Sequence, residues 1–281
     1  MPDSFNYVHE SNIKTKIQGN YHGVGNQLSD FLENNYYSMR RAIDSIDFTS
    51  PMVSSFREEN GQETTVVRDC FIQAARIFNQ YFQDLAETSS RLNISSQSKF
   101  ESTYYEEIST YLFRDLPEVQ TGKLSFYNKG IYAGLKIDSD YHISTIKKDV
   151  DFCIGKKVNL TISGQNSLEL ILPVIAVEVK TYLDATMFGE IKSSSKSIRS
   201  ASPNSRTYVL LGYTNIADEH IIAARQDATI TEMYALRKNE GSPIDALVLQ
   251  MYFDDIRDAI ESISADDTVI TPGRLLFPSK Q

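Results

Sequence analysis

The sequence contains no tryptophan and only two cysteines, Cys70 and Cys153, among 281 residues. Two thiols cannot build a disulfide framework, and neither stands near a histidine at metal-ligand spacing. A reducing, cytoplasmic setting is therefore expected. The four histidines, His9, His22, His142 and His220, are scattered, so no zinc site is expected. There is no Gly-x-x-x-x-Gly-Lys-Ser/Thr loop and no Gly-x-Gly-x-x-Gly fingerprint, which argues against nucleotide-driven chemistry. No Gly-x-Ser-x-Gly elbow occurs either. The opening MPDSFNYVHESNIKTK lacks an apolar h-region, and no apolar run approaches a bilayer span, so neither a leader nor a membrane segment is expected. Positive charge is also short: 28 Lys and Arg stand against 37 Asp and Glu, a formal net charge of −9. That disfavours a loose polyanion binder. It leaves room for a nucleic-acid enzyme, which needs only a local basic groove and needs carboxylates to hold metal.

What is present is ample core material: 41% hydrophobic residues, with 16 Tyr and 14 Phe supplying the large rings. Residues 1–26 are polar and weakly periodic and read as an irregular arm. Apolar residues at helical spacing predict one helix over 29–46 and a second over 65–88, packed as an antiparallel pair. The Ser-rich stretch ETSSRLNISSQSK is the expected boundary between a helical region, 1–95, and a second unit, 96–281. Beyond it, a helix is predicted over 99–114 and strands over 124–134, 150–154, 158–163, 168–180 and 207–213. A polar helix is predicted over 186–201, a short element at 230–236, and an amphipathic helix over 243–263 that opens on Pro243. This order implies an α/β fold with a mixed central sheet flanked by helices.

The strand PVIAVEVK places Glu178 and Lys180 on one face, with Val177 and Val179 on the other. Upstream, KKDVDFCIGKK puts Asp149, Asp151 and Cys153 on one face. A β-hairpin turning at 164–167 would bring the two stretches side by side, so that Asp151 and Glu178 face one small volume beside Lys180. Burial of such heads is costly unless they pair with each other, a metal or a ligand. Two carboxylates and a lysine suit metal-assisted phosphodiester hydrolysis, with hard oxygens for Mg²⁺. The bland alternative is an edge strand with solvated charges. A second Glu-x-Lys, Glu190-Ile191-Lys192, lies in a helix-like stretch that would point the two side chains apart.

The run DVDFCIG followed by LPVIAVEVK resembles the Asp…Glu-x-Lys core of the PD-(D/E)xK nuclease superfamily. With YYEEISTYLFRDL, KKDVDFCIGKKVNLTISG, PVIAVEVKTYLDATMFGEI and ITEMYALRK, residues 98–238 resemble a subunit of the two-subunit restriction endonucleases typified by BbvCI. No proline precedes the aspartate here, since Lys148 and Asp149 stand before Val150.

The resemblance implies a restriction-endonuclease-like core over 96–281. It further implies a Mg²⁺-dependent site made of Asp151, Glu178 and Lys180, and a second, non-identical subunit that cuts the other strand of a duplex DNA target. It also implies an acidic metal ligand from the first helix of the core. Glu107, beside that helix's apolar face, is the expected one; Glu101 is second, and Glu106 is read as pointing away. Lys192, Lys196 and Arg199 form a basic stripe expected to follow DNA phosphates, as is Arg206; a solvated helix face is the plain alternative. Arg225, Arg237 and Lys238 are further DNA candidates. Two other readings are a non-catalytic DNA-binding subunit and a structure-specific repair nuclease.

Overall fold

The structure is a computed structural model that describes residues 7–50, 57–59, 62–64, 66–95, 98–161, 167–217, 219, 221–222 and 229–265. The chain opens with α1 (Val8–Gln18), where the sequence suggested an irregular arm. Its inward face carries His9, Glu10, Ile13 and Lys16, so the helical period is written mostly in polar residues and no apolar stripe announces it. α2 (Gly25–Phe31) continues through a π-helical stretch, Leu32–Tyr36, into α3 (Tyr37–Asp44). A short ribbon, β1 (Arg57–Glu59) and β2 (Gln62–Thr64), precedes the long α4 (Asp69–Arg91). Phe48 packs on Phe71 near the start of α4, while Phe31 meets Tyr81 and Asn35 hydrogen-bonds Asp84 further along it. The α2–α3 rod and α4 therefore run antiparallel, as their apolar stripes suggested.

Then follow α5 (Ser102–Phe113), α6 (Pro117–Gln120), β3 (Ser125–Tyr127), β4 (Ile131–Ile137), β5 (Ile143–Lys148) and β6 (Phe152–Leu160). The chain continues through β7 (Leu168–Leu183), α7 (Ala185–Ala201), β8 (Arg206–Thr214), β9 (Glu232–Ala235) and α8 (Ala246–Ala265). The strand expected over 124–134 is broken in two by a turn in which Gly130 has φ +67°, a conformation that costs glycine nothing. The edge strand β5, ISTIKK, lacks clean alternation and was not expected. The two strands expected at 150–154 and 158–163 are one continuous β6, which forms a long hairpin with β7. The turn expected at 164–167 lies mostly outside the described residues.

The seven strands from β3 to β9 form one mixed sheet. β7 lies at its centre: β6 runs antiparallel along one side, while on the other side β4 pairs at Ile171 and β8 from Ile175 onward, both parallel. Pro173, which has no N–H to donate, falls between these two partners. It also sits at a bulge, where Ile154 opposes Ile175 and Gly155 opposes Pro173. Gly155 is required there, since a Cβ would stand 2.5 Å from the Leu172 carbonyl oxygen.

β7, α7 and β8 form a parallel crossover unit. Asp184 ends the strand and caps the helix by accepting the Met187 N–H at 2.8 Å. Ile175, Val177 and Val179 face the principal core, and Glu178 and Lys180 face the α7 side of the sheet. That core is continuous from Ile13, Leu28 and Phe31 through Phe71 and Tyr81 to Ile154, Val177 and Phe253. The N-terminal helices and the sheet thus share one interior. No helix among the described residues is long and apolar enough to cross a membrane.

Candidate active site

β6 begins at Phe152, which pairs with Val177. One step beyond that ladder stands Asp151, opposite Glu178. The strand thus starts two residues later than the sequence suggested, and Asp151 rather than Val150 marks its edge. That position explains the aspartate. Val179 has an N–H that β6 no longer reaches, and the Asp151 Oδ2 accepts it at 2.7 Å. The same oxygen accepts from Lys180 Nζ at 3.1 Å, and Nζ lies 3.5 Å from Glu178 Oε2. From α7, Ser194 Oγ donates to Glu178 Oε1 at 3.0 Å. The structure therefore brings Asp151, Glu178 and Lys180 to one point, with α7 as the buttress.

Electrostatics there are tense. Burial pushes the Glu178 carboxyl above its ordinary pKa and Asp151 pushes it further, while Lys180 and Ser194 oppose both. Burial works to lower the Lys180 ammonium, but Asp151 and Glu178 outweigh it and hold the group above its ordinary value. Two carboxylates thus crowd one ammonium, an arrangement that a further cation would relieve.

Asp151 and Glu178 open into a cleft of about 430 Å³, lined also by Glu106, Asn128, Lys129, Asp149 and residues of α1, with Lys180 held behind the two carboxylates. Glu106 is the acidic residue that α5 lends to the cleft. Burial, then Asp151, raises its carboxyl to about 7. The expectation placed Glu107 here and turned Glu106 away, and the structure reverses the two. Glu107 is fully buried on the other side of α5. Its Oε2 accepts the backbone N–H groups of His9 at 2.8 Å and Glu10 at 3.2 Å; its Oε1 accepts from the hydroxyls of Tyr36 at 2.8 Å and Tyr111 at 2.6 Å. With both oxygens engaged, Glu107 has nothing left for a metal. The reason is α1, which covers α5 on a second face, so that nearly every residue of α5 is buried. Burial lifts the Glu107 carboxyl to about 7 against these four donors.

Glu101 stands at the start of α5 and does not line the cleft. Asp149 does, but its Oδ1 accepts the Gly130 N–H at 2.9 Å and ties down the β3–β4 turn.

Asp149 also marks the junction with a second, larger groove of about 870 Å³ between β5 and α7, lined by Lys147, Lys148, Lys196, Ser193, Ser197 and Ser200. Of the expected stripe, Lys196 points into this groove. Lys192 and Arg199 are half-buried and do not line it. Lys147 and Lys148 were missed because β5 itself was missed. Arg206 starts β8 on the face of Tyr208 and Leu210, opposite the face that carries Glu178, so it does not join the α7 stripe. Arg237 is also excluded from a free surface: its guanidinium lies 3.6 Å from the centre of the Phe82 ring, and it donates to the Glu240 carbonyl. Arg225 and His220 lie outside the described residues.

Comparison with known proteins decides the family. The sequence profile of the Bpu10I restriction endonuclease family matches residues 97–245. The chain belongs to that family. It is thus a type II restriction endonuclease chain, and the matched span holds Glu106, Asp151, Glu178 and Lys180. No curated protein sequence matches the chain. Among solved structures, the native BbvCI A2B2 tetramer at low resolution is similar over 93% of this chain and 97% of that one, with a TM-score of 0.69 and 14% identity. At that identity the likeness shows a shared fold, and it extends the fold family over α1–α4, which the profile does not reach. Asp138, Asp140 and His142 also stand together at the exposed β4–β5 turn. Asp138 accepts the backbone N–H groups of Asp140 and His142 there, which accounts for the cluster as turn chemistry.

Proposed function

We propose that the chain is a catalytic subunit of a type II restriction enzyme that hydrolyses one strand of duplex DNA with Mg²⁺, leaving 5′-phosphate and 3′-hydroxyl ends. The observation that carries this reading is the convergence of Asp151 and Glu178 on Lys180, with the two carboxylates opening into a cleft. The donor set fits a hard divalent cation: half-buried carboxylate oxygens, with Glu106 as a further oxygen donor on the α5 wall. Bound there, Mg²⁺ supplies a Lewis acid that acidifies a coordinated water and offsets charge on the scissile phosphate. Asp151 and Glu178 would hold it. Lys180, kept as an ammonium by its two carboxylate neighbours, orients the attacking water and stabilises the charge that develops on the phosphate oxygens. Ser194 fixes the rotamer of Glu178. The groove of Lys147, Lys148 and Lys196 continues from the cleft and suits the phosphates of the same strand.

One such centre cuts one strand, so cleavage of both needs another. The BbvCI assembly contains two kinds of subunit, and a non-identical partner is the arrangement we favour here. The test is nicking of supercoiled plasmid in Mg²⁺, by the chain alone and with a candidate partner. Asp151→Asn and Lys180→Ala should each slow strand cleavage by at least ~10²–10³-fold while duplex binding persists. Unchanged nicking by the Asp151→Asn protein would overturn the proposal.

A further inference from the structure

The nuclease profile begins at residue 97, yet five of the fourteen residues that line the cleft come from before it, all of them on α1. α1 presents Ser11, Asn12, Thr15 and Lys16 to the cleft, and Lys99 joins them across from Asp151 and Glu178. We infer that α1 and the Lys99 turn form the second jaw of the catalytic cleft and grip the backbone of the DNA strand being cut, with Glu107 as the positioning residue that seats the jaw. This rests on the nuclease reading and adds to it a role for the N-terminal helix.

The chemistry of the two walls is complementary. The floor carries carboxylates; the jaw carries hydroxyls, an amide and two ammonium groups, which are donors for phosphodiester oxygens. In a chain of net charge −9, these lysines stand in the same cleft as the carboxylates of Asp151 and Glu178. Lys16 is held on the wall by donating to the Ser98 carbonyl at 2.6 Å, and Asn12 donates to the same oxygen at 3.3 Å. An ammonium has three protons, so that bond leaves Lys16 able to donate to a phosphate. Lys99 adopts φ +58°, a left-handed backbone that a lysine rarely takes. Such strain concentrates where a side chain must be aimed, and Lys99 is exposed at the cleft mouth.

The jaw is seated at its root. Glu107 takes the first-turn amides of α1, while Glu10 bonds Lys14, Tyr37 and Arg40 and so ties the helix to α3. The residue next to Glu107 lines the cleft, so one helix sets both the acidic floor and the position of the opposing jaw.

The test uses the full-length chain. Binding of a fluorescent random-sequence duplex is followed in Ca²⁺ over a salt series, and steady-state plasmid nicking is followed in Mg²⁺ over a DNA series. The Lys16→Gln/Lys99→Gln double variant should bind about tenfold more weakly, with a salt slope shallower by about two, one for each phosphate no longer neutralised. Glu107→Ala should raise KM for DNA more than it lowers kcat, and Glu107→Gln, which keeps one oxygen for the α1 amides, should recover most of that loss. A folded double variant with wild-type affinity and salt slope would refute the jaw. Persistent nicking by Asp151→Asn would instead refute the nuclease reading, and the two failures are distinct.

Discussion

The carboxylate of Glu107 accepts the backbone N–H of His9 at 2.8 Å, across 98 positions of sequence. That bond draws His9 wholly inside, where its ring nitrogens meet the hydroxyls of Thr103 at 3.0 Å and Tyr81 at 2.7 Å. Burial, with Lys16 adding repulsion, lowers the imidazole from 6.5 to about 3. Above pH 6.5 the ring is neutral folded or unfolded and costs nothing. Between 6.5 and 3 the unfolded chain takes up a proton that the folded chain refuses, so stability falls as pH falls, by up to ~1.4 kcal/mol per pH unit. Urea melts at descending pH should show this slope in the difference between the wild type and His9→Gln, which has no imidazole to titrate. Parallel curves for the two proteins would rule it out.

The same hydrogen bond explains what was and was not legible in the sequence. The Asp151–Glu178–Lys180 site could be read because strand alternation is local: Val177 and Val179 declare one face, and Glu178 and Lys180 must take the other. The α4 and α8 helices could be read because their stripes are apolar. α1 could not, because it is buried through His9, Glu10 and Lys16, whose partners lie in α3, α5 and the segment before α5. Once α1 is missed, α5 looks like a helix with one covered face, and Glu107 falls at its edge. The misplacement of Glu107 and the choice against Glu106 are one error with one cause. β5 failed for a different reason: as an edge strand it buries no residue fully and leaves Ile146 exposed, so its apolar residues do not mark an inward face.

Exchanging the two adjacent glutamates in experiment should separate their roles. Glu106→Gln removes a cleft oxygen that burial and Asp151 already disfavour as an anion. It should weaken Mg²⁺ binding and slow cleavage while leaving the melting temperature level or slightly raised. Glu107→Ala strands two amides in the interior and leaves the Tyr36 and Tyr111 hydroxyls, 3.2 Å apart, with only each other, so that one hydroxyl proton loses its acceptor. Each stranded group costs ~1–3 kcal/mol, so the melting temperature should drop by many degrees. Equal melting losses for the two variants would contradict the assignment.

Proton competition should make metal affinity depend on pH. Glu106 holds its proton up to about 7 and Glu178 is raised in the same direction. A cation that uses these oxygens must displace the proton, so Mg²⁺ binding should tighten as pH rises from ~6 to ~8 and level off above that. Calorimetric titrations in buffers of differing ionisation enthalpy would reveal the proton release. Buffer-independent heats at pH ~6.5 would show that the cation binds elsewhere.

The last expectation concerns residues 1–95. The Ser-rich boundary invites a cut at 95/96, but the core does not respect it. Phe253 of α8 packs at once on Phe48 and Phe71 from the N-terminal side and on Phe113 from α5. Removing 1–95 strips partners from these rings and exposes Tyr104 and Ile108, which are fully buried. Each such side chain is worth ~1.5–3 kcal/mol in burial, and a handful match the whole net stability of a domain, ~5–15 kcal/mol. Residues 96–281 alone should therefore lack a cooperative melt and should bind hydrophobic dyes, although they carry every residue of the Asp151–Glu178–Lys180 site. A truncated protein that melts sharply near the full-length temperature would show that the nuclease core stands by itself.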